Sequence, residues 1–284
     1  MTETAGSAPL GSEQAAHVLL AGCGDLGFNV GLRLTSLGHR VTGVRRRPQQ
    51  LRAPFEVLGM DLADPQGARL PQADAVVVAL TADSRDAAGY EQAYRRTLRG
   101  LAQALPHPPK RLVFVSSTSV LGDEHHQPVT EETTPAPQRE TAEVLLAAEQ
   151  DAAELFEHTV IIRPAGIYGP GRTRLIDQVH AGRGADHGRI TNRIHRDDLV
   201  TAILTALQAG QPPALLHAVD EEPASLGEVL HFLASELGVP VPADTGTGEL
   251  HGKQILGTRL HGFLGEPGLQ FPTFREGYAA LLKT

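Results

Sequence analysis

HVLLAGCGDLGFNVGLRL, residues 17–34, is the stretch whose reading decides the fold. Its first part, HVLLAG (17–22), is a short apolar run that ends in glycine. Apolar residues then recur at helical spacing through DLGFNVGLRLTSLG (25–38), where Gly38 reads as a helix stop. Gly22, Gly24 and Gly27 stand between strand and helix in the spacing G-x-G-x-x-G. At such a junction the three glycines allow a tight turn, close backbone approach to a pyrophosphate, and close helix–strand packing. The helix start adds unpaired N–H groups and a partial positive charge. The expected contacts are therefore Gly22, Cys23, Gly24, Asp25, Leu26 and Gly27, with Cys23 a small filler beside the backbone.

The alternation continues outward. HRVTGVR (39–45), FEVLGMDL (55–62), DAVVVAL (74–80), LVFVSS (112–117) and TVIIRP (159–164) read as strands. RDAAGYEQAYRRTLRGLAQAL (85–105) and RETAEVLLAAEQDAAELF (139–156) read as helices. Strands that are continuous Val/Leu/Ile runs separated by helices predict a parallel sheet covered on both faces. The fold class is thus α/β, a Rossmann-like doubly wound sheet with a small C-terminal substrate lid. Residues 1–16 are expected to be a loose tail, 17–165 the nucleotide-binding domain, and 166–284 mostly lid with elements returning to the sheet. Helices are expected at 173–181, 196–209, 225–237 and 273–283, a strand at 214–219, and a loop around Pro240, Pro242 and 245–248.

Composition narrows the function. The chain has 284 residues, a net charge of -8, no Trp and one cysteine, Cys23. An acidic chain poor in aromatics lacks the basic face and stacking platforms of a nucleic-acid binder. One cysteine excludes an intrachain disulfide framework and a multi-cysteine metal site, and the 13 histidines form no HExxH pattern, so no metal is expected. No apolar run is long enough to span a membrane and no secretory leader is recognisable, which together predict a cytoplasmic protein; a monomer or homodimer is expected. The nucleotide is read at the end of the second strand. An acidic residue there would bond the 2′-hydroxyl of NAD. This chain instead has Arg45-Arg46-Arg47, and a guanidinium pairs with a 2′-phosphate through two parallel hydrogen bonds. Arg45 and Arg46 therefore favour NADP(H) over NAD(H). Asp61, Leu62 and Leu80 complete the expected nucleotide pocket, with Asp61 either accepting from the adenine amino group or capping a helix.

LVFVSSTSVLGD (112–123), RPAGIYGPGR (163–172), NRIHRDDLV (192–200) and the closing FPTFREGYAALL (271–282) carry a resemblance. Together with the glycine loop they resemble the extended short-chain dehydrogenase/reductases, in the atypical, NAD-dependent epimerase/dehydratase-like branch. The resemblance implies a sugar-nucleotide or other polar small molecule as substrate. It implies that Ser117 bonds the substrate oxygen. It also implies that Pro164, Ala165 and Ile167 offer backbone to the nicotinamide amide.

The same resemblance implies a Tyr-x-x-x-Lys pair on the helix at 139–156, in which Lys lowers the Tyr pKa so that the phenol moves a proton in step with hydride transfer. With Glu149-Gln150 fixing the register, Thr141 stands at the Tyr position and Leu145 at the Lys position. No Tyr occurs between residues 95 and 167 and no Lys between 111 and 252, so no slip of register recovers the pair. Leu121 also stands where many relatives carry Tyr. Candidate substitute acids are Tyr168, His125, His126, Glu140 and Glu143; His195 and Asp198 read as orienting or backbone-bonding residues. Two functions follow. One is an NADP(H)-dependent oxidoreductase or epimerase/dehydratase with a substitute acid. The other is a catalytically silent NADP(H)-binding redox sensor or partner-binding protein.

Overall fold

The computed structural model describes residues 15–123 and 128–283. In chain order, β1 (His17–Ala21), α1 (Asp25–Ser36), β2 (Arg40–Arg45), β3 (Glu56–Gly59) and β4 (Ala75–Val78) come first. The helix expected at 85–105 is one helical run in three parts: α2 (Ala87–Tyr90), a π-helical turn (Glu91–Arg96) and α3 (Thr97–Ala104). β5 (Arg111–Val115), α4 (Glu140–Leu155) and β6 (Thr159–Pro164) follow. The rest comprises β7 (Gly166–Tyr168), α5 (Arg174–His180), β8 (Ile190–Thr191), β9 (Arg193–His195), α6 (Arg196–Gln208), β10 (Leu215–Ala218), β11 (Ala224–Ser225), α7 (Leu226–Leu237), α8 (Thr258–Leu264) and α9 (Phe274–Leu282). α8 is an addition to the sequence expectation. Glycines flank and interrupt it at 257, 262 and 265, which hides its periodicity.

The seven-stranded sheet has the order β10-β6-β5-β4-β1-β2-β3. The pairings from β3 through to β6 are all parallel. β4 (AVVV) and β5 (RLVFV) are buried at every residue, which is why they read as unbroken apolar runs. Strand order reverses at β1, with β2 and β3 on one side and β4 on the other. This is the doubly wound Rossmann-like arrangement, and its switch point lies where the glycine loop leaves β1. No helix among the described residues is long and apolar enough to cross a membrane.

The chain divides into two compact units. The first holds residues up to Val120, Pro135–Arg163 and Val200–Leu216; the second holds Leu121–Thr134, Pro164–Leu199 and His217 onward. In the first unit, α4 is fixed to the sheet by a buried carboxylate. Glu149 takes two parallel bonds from Arg163 of β6, Nε to Oε1 at 2.9 Å and Nη2 to Oε2 at 2.7 Å, and a third from the Ser116 hydroxyl at 2.5 Å. Both charged side chains are about 5% exposed or less. On the outer face of α4, Asp151 holds Arg95 of the π turn at 2.7 Å and Arg99 of α3 at 3.2 Å. Arg111 opens β5 and donates to the carbonyls of Ala206, Leu207 and Gly210, so a cation closes the C-terminal end of α6.

The second unit is built on the parallel pair β7–β9 and the antiparallel pair β8–β11. Its core joins Tyr168, Ile176, Val179, Val229, Leu233, Phe274 and Tyr278. α7 and α9 both start with a capping box, Ser225 with Glu228 and Thr273 with Glu276. Val129 N–H donates to Gln254 O at 2.7 Å, and the Val129 carbonyl accepts from Leu256 N–H at 2.9 Å.

Glu149→Ala is expected to leave the Arg163 guanidinium buried without its counter-charge, a loss of about 3–5 kcal/mol. Chemical denaturation should record it as a lower midpoint. Glu149→Met combined with Arg163→Met should recover most of that loss. A single variant as stable as the parent would show that α4 is held by its apolar stripe alone.

Candidate functional site

Three glycines shape the loop after β1, and each is required for a different reason. Gly22 has φ +92°, and a Cβ there would lie 2.3 Å from Ala79 O. A Cβ on Gly27 would lie 2.3 Å from Gly22 O. These two are demanded by backbone packed against backbone. Gly24 has ordinary extended angles, φ -88° and ψ -156°, and a Cβ there would meet no protein atom within 4 Å. The protein itself makes no demand for glycine at 24; space in front of the α1 N-terminus does.

That space is a cavity of about 570 Å³ in the first unit, the size of a small-ligand site. Its floor is Gly22, Cys23 and Gly24. The end of β2 contributes Arg45, Arg46 and Arg47, the segment after β3 contributes Asp61 and Leu62, and the segment after β4 contributes Leu80 and Asp83. Asp25, Leu26 and Gly27 form the first turn of α1, with Leu26 and Gly27 buried. The residues that fit a nucleotide by sequence are thus largely assembled around one cavity.

The charges are arranged in a way the sequence did not reveal. Arg45 Nη1 donates to Cys23 O at 3.4 Å, so its guanidinium lies beside the glycine loop. Arg46 forms a two-pronged ion pair with Asp83, Nη2 to Oδ1 at 2.7 Å and Nη1 to Oδ2. The pair raises the Arg46 pKa and lowers that of Asp83. Asp61 accepts from its own Ala63 N–H at 3.0 Å, a local turn rather than a helix cap. Cys23 is fully buried, and burial pushes its thiol up to about 11, so it is a neutral filler as expected. The π turn contributes Gln92 and Ala93 to the cavity wall. An inserted residue of this kind re-aims side chains and leaves no trace in apolar periodicity.

Ser117 follows the end of β5, half-buried, and its Oγ accepts from Ser119 N–H at 3.1 Å. That bond leaves its own proton available to donate. Ser116, one residue earlier, is the one bound to Glu149. On α4, Thr141 is half-buried, Leu145 is 2% exposed in the apolar stripe, and Glu140 and Glu143 are exposed. His125 and His126 lie outside the described residues. Pro164, Ala165 and Ile167 fall in the second unit, where Ala165 N–H donates to Ala218 O at 3.0 Å.

Tyr168 is a core residue of the second unit rather than a proton donor on a surface. It is 4% exposed, packed on Tyr278 at 4.5 Å and edge-on to His195 at 5.2 Å. Burial, helped by the nearby Asp220 charge, drives its pKa far upward. α9 presses on it so closely that a Cβ on Gly277 would meet its hydroxyl. His195 is likewise buried, 4.0 Å from the Phe271 ring, and burial holds its imidazole down at about 4. Its Nδ1 accepts from Asp197 N–H at 3.2 Å. Asp198 bonds backbone far along the chain, accepting from Gln270 N–H at 2.6 Å and Phe271 N–H at 3.0 Å. Asp220 is 2% exposed, and burial raises its carboxyl to about 7 against the opposing charge of Arg193.

A second cavity, about 490 Å³, opens in this unit between His187, Ser225, Glu228, His231, Asp244 and Arg275. Its polar groups hold the fold. Ser225 and Glu228 cap α7, Asp244 accepts from the His187 and Gly246 N–H groups, and Arg275 pairs with Glu222 at 3.1 Å. The chemistry points to the cavity at the glycine loop.

The chain is similar to known proteins in sequence and in fold. The family model described as NAD dependent epimerase/dehydratase family matches residues 18–216. Protein YeeZ of Escherichia coli strain K12 is 33% identical over 212 residues, 68% of this chain and 73% of YeeZ. A solved Methylobacillus flagellatus protein, assigned to the NAD-dependent epimerase/dehydratases, superposes with a TM-score of 0.77 at 32% identity, covering 95% of this chain and 98% of that one. The human epimerase family protein SDR39U1, solved with NADPH, reaches a TM-score of 0.77 at 17% identity, covering 94% of this chain and 99% of its own, a likeness of fold.

The glycines separate by experiment. Gly24→Val should melt close to the parent yet lose nucleotide binding in calorimetric titration, because its side chain fills the space before α1. Gly22→Ala should instead lower the melting temperature, since φ +92° and the Ala79 carbonyl both oppose a Cβ. Loss of folding in Gly24→Val would contradict this division. In the second unit, folded Asp220 keeps its proton up to about pH 7, whereas an unfolded Asp releases it near pH 4. Stability from this group is therefore complete below about pH 4 and is lost as pH rises through 7. Relative to the parent, Asp220→Asn should be more stable at pH 8 than at pH 4 by a few kcal/mol in denaturant titrations.

Proposed function

Because the chain belongs to the NAD dependent epimerase/dehydratase family, we propose that it is an atypical extended short-chain dehydrogenase/reductase that binds NADP(H). In this reading it acts in the cytoplasm on a sugar-nucleotide-like or other polar metabolite. The observation that carries the reading is the cavity itself, where a glycine loop at a helix N-terminus faces Arg45, Arg46 and Arg47 across one space. A diphosphate fits the first feature and a 2′-phosphate the second. The open space at Gly24, where a Cβ meets no protein atom, is the seat a pyrophosphate needs.

Gly22, Cys23, Gly24, Asp25, Leu26 and Gly27 would hold the pyrophosphate, Arg45 and Arg46 the 2′-phosphate, and Asp61, Leu62 and Leu80 the adenine side. A bound nicotinamide ring supplies a hydride donor or acceptor. The chain's own contribution is to position that nucleotide and to donate a hydrogen bond from Ser117 to the substrate oxygen.

A second reading, a catalytically silent NADP(H)-binding protein, is favoured by one specific observation. Where the resemblance calls for Tyr and Lys, the chain has Thr141 and the core residue Leu145, and the alternative donor Tyr168 is locked in a core.

Titration of the purified protein with NADPH and NADH tests the cofactor. NADPH should bind at least about tenfold tighter, and Arg45→Ser with Arg46→Ser should abolish the difference. Equal affinities in the native protein would overturn the NADP(H) assignment. A turnover screen over nucleotide sugars then divides the two readings. An enzyme should lose kcat in Ser117→Ala, whereas a silent protein should show no native turnover and keep its NADPH affinity in that variant.

A further inference from the structure

The ion pair between Arg46 and Asp83 deserves a functional reading of its own, because it stands at the point where two nucleotides would differ. Arg46 and Asp83 both line the cavity, one after β2 and one after β4. The carboxylate meets the guanidinium through both of its oxygens, with Nη2 to Oδ1 at 2.7 Å. That fork of two parallel N–H donors is the same edge that a phosphate monoester takes. One edge of a guanidinium serves one such anion at a time. A nucleotide 2′-phosphate that takes this Nη1/Nη2 edge competes with the Asp83 carboxylate for it.

The pair is suited to being exchanged. Its side chains are 55% and 71% exposed, so water solvates both charges and the bond contributes little to the fold. A carboxylate with one charge is also a weaker partner for the fork than a phosphate carrying nearly two. Asp83 does not suit the other role open to an acid in such a cavity, accepting from the ribose hydroxyls. It follows β4 rather than β2, and both of its oxygens are turned to Arg46. Arg47 also acts on Asp83, and Asp61 on Arg46, so the exchange takes place within a wider set of charges.

We propose that Asp83 is the residue that sets nucleotide selectivity in this chain: it occupies the Arg46 fork and yields it to a 2′-phosphate, which lowers the preference for NADP(H) over NAD(H) below what the arginines alone would give. This rests on the NADP(H) reading above and deepens it. The displaced carboxylate lies three residues before Asp86, which caps α2 by accepting from Gly89 N–H at 2.7 Å and from Ser84 Oγ at 2.8 Å. Exchange at Arg46 is thereby connected through a short segment to the helix that continues into the π turn and its wall residues Gln92 and Ala93.

The test is a set of titrations with NADPH and NADH on the full chain. Asp83→Asn and Asp83→Ala should each raise the ratio of NADPH to NADH affinity by about threefold to fivefold. With Arg46→Ala in the background, the same changes should move that ratio less than about twofold, because no fork remains to compete for. Thermal melting verifies that each variant is folded. A ratio that stays constant or falls when Asp83 is replaced in the Arg46 protein overturns the exchange, even where native NADPH selectivity depends on Arg46. A native protein without NADPH preference, and indifferent to Arg46→Ala, overturns the NADP(H) reading and the exchange with it.

Discussion

Two backbone carbonyls leave no room for side chains at the turn after β1, and much of the first unit depends on that closeness. Ala79 O presses on Gly22 and Gly22 O presses on Gly27, each at 2.3 Å from where a Cβ would be. The contacts draw β1, the end of β4 and the first turn of α1 together at the point where strand order reverses. Only with that turn so tight does the α1 N-terminus face the cavity, and only then do the segments after β2, β3 and β4 converge around it. Larger residues at 22 or 27 would push these segments apart before any ligand was involved. The cavity is in this sense a by-product of backbone packing, with position 24 left open.

A second constraint acts on α4. In the resemblance, that helix carries the catalytic Tyr and Lys; here its inward stripe is Ala142, Leu145, Ala148, Glu149 and Ala152. Glu149 is the single polar member, and Ser116 and Arg163 satisfy it from β5 and β6. The helix is therefore held in position by a buried ion pair while the turn above it is occupied by a leucine. A charged side chain at 145 would need a partner in the same apolar stripe. The helix is thus anchored through Glu149, while positions 141 and 145 carry Thr and Leu.

The sequence made the sheet legible because burial on both faces writes itself as continuous runs such as AVVV and LVFV. It made the glycine loop legible because the spacing and the strand–helix context occurred together. The arginines after β2 were legible as a charge choice, and all three line the cavity. Asp83 was not. Nothing in TADSRD marks Asp83 rather than Asp86 as the partner of Arg46, and the pairing spans 37 residues. Tyr168 and His195 show the opposite limit. Both sit at strand ends in the motifs that carry the resemblance, where a titratable side chain reads as a candidate. Their burial depends on α9 and on Phe271, about a hundred residues later, which no local pattern reports. Glu149 served as a register landmark, and only the fold reveals it as an anchor.

These features bear on the chemistry in one direction. Three groups of the second unit with strongly shifted pKa values, Tyr168, His195 and Asp220, are shifted mainly by burial in a packed core, as is Tyr278. Strong perturbation marks catalytic groups only when they also reach a cavity, and none of these three lines either cavity described above. The reactive possibilities left by the described residues are instead modest ones: a serine hydroxyl with a free proton after β5, and a cluster of exchangeable charges after β2 and β4. Such a site is better equipped to recognise a phosphorylated nucleotide than to move protons unaided. Any acid–base step in this chain therefore has to draw on the substrate, on water, or on residues beyond Ser117, while in the proposed exchange Asp83 acts on selectivity through Arg46.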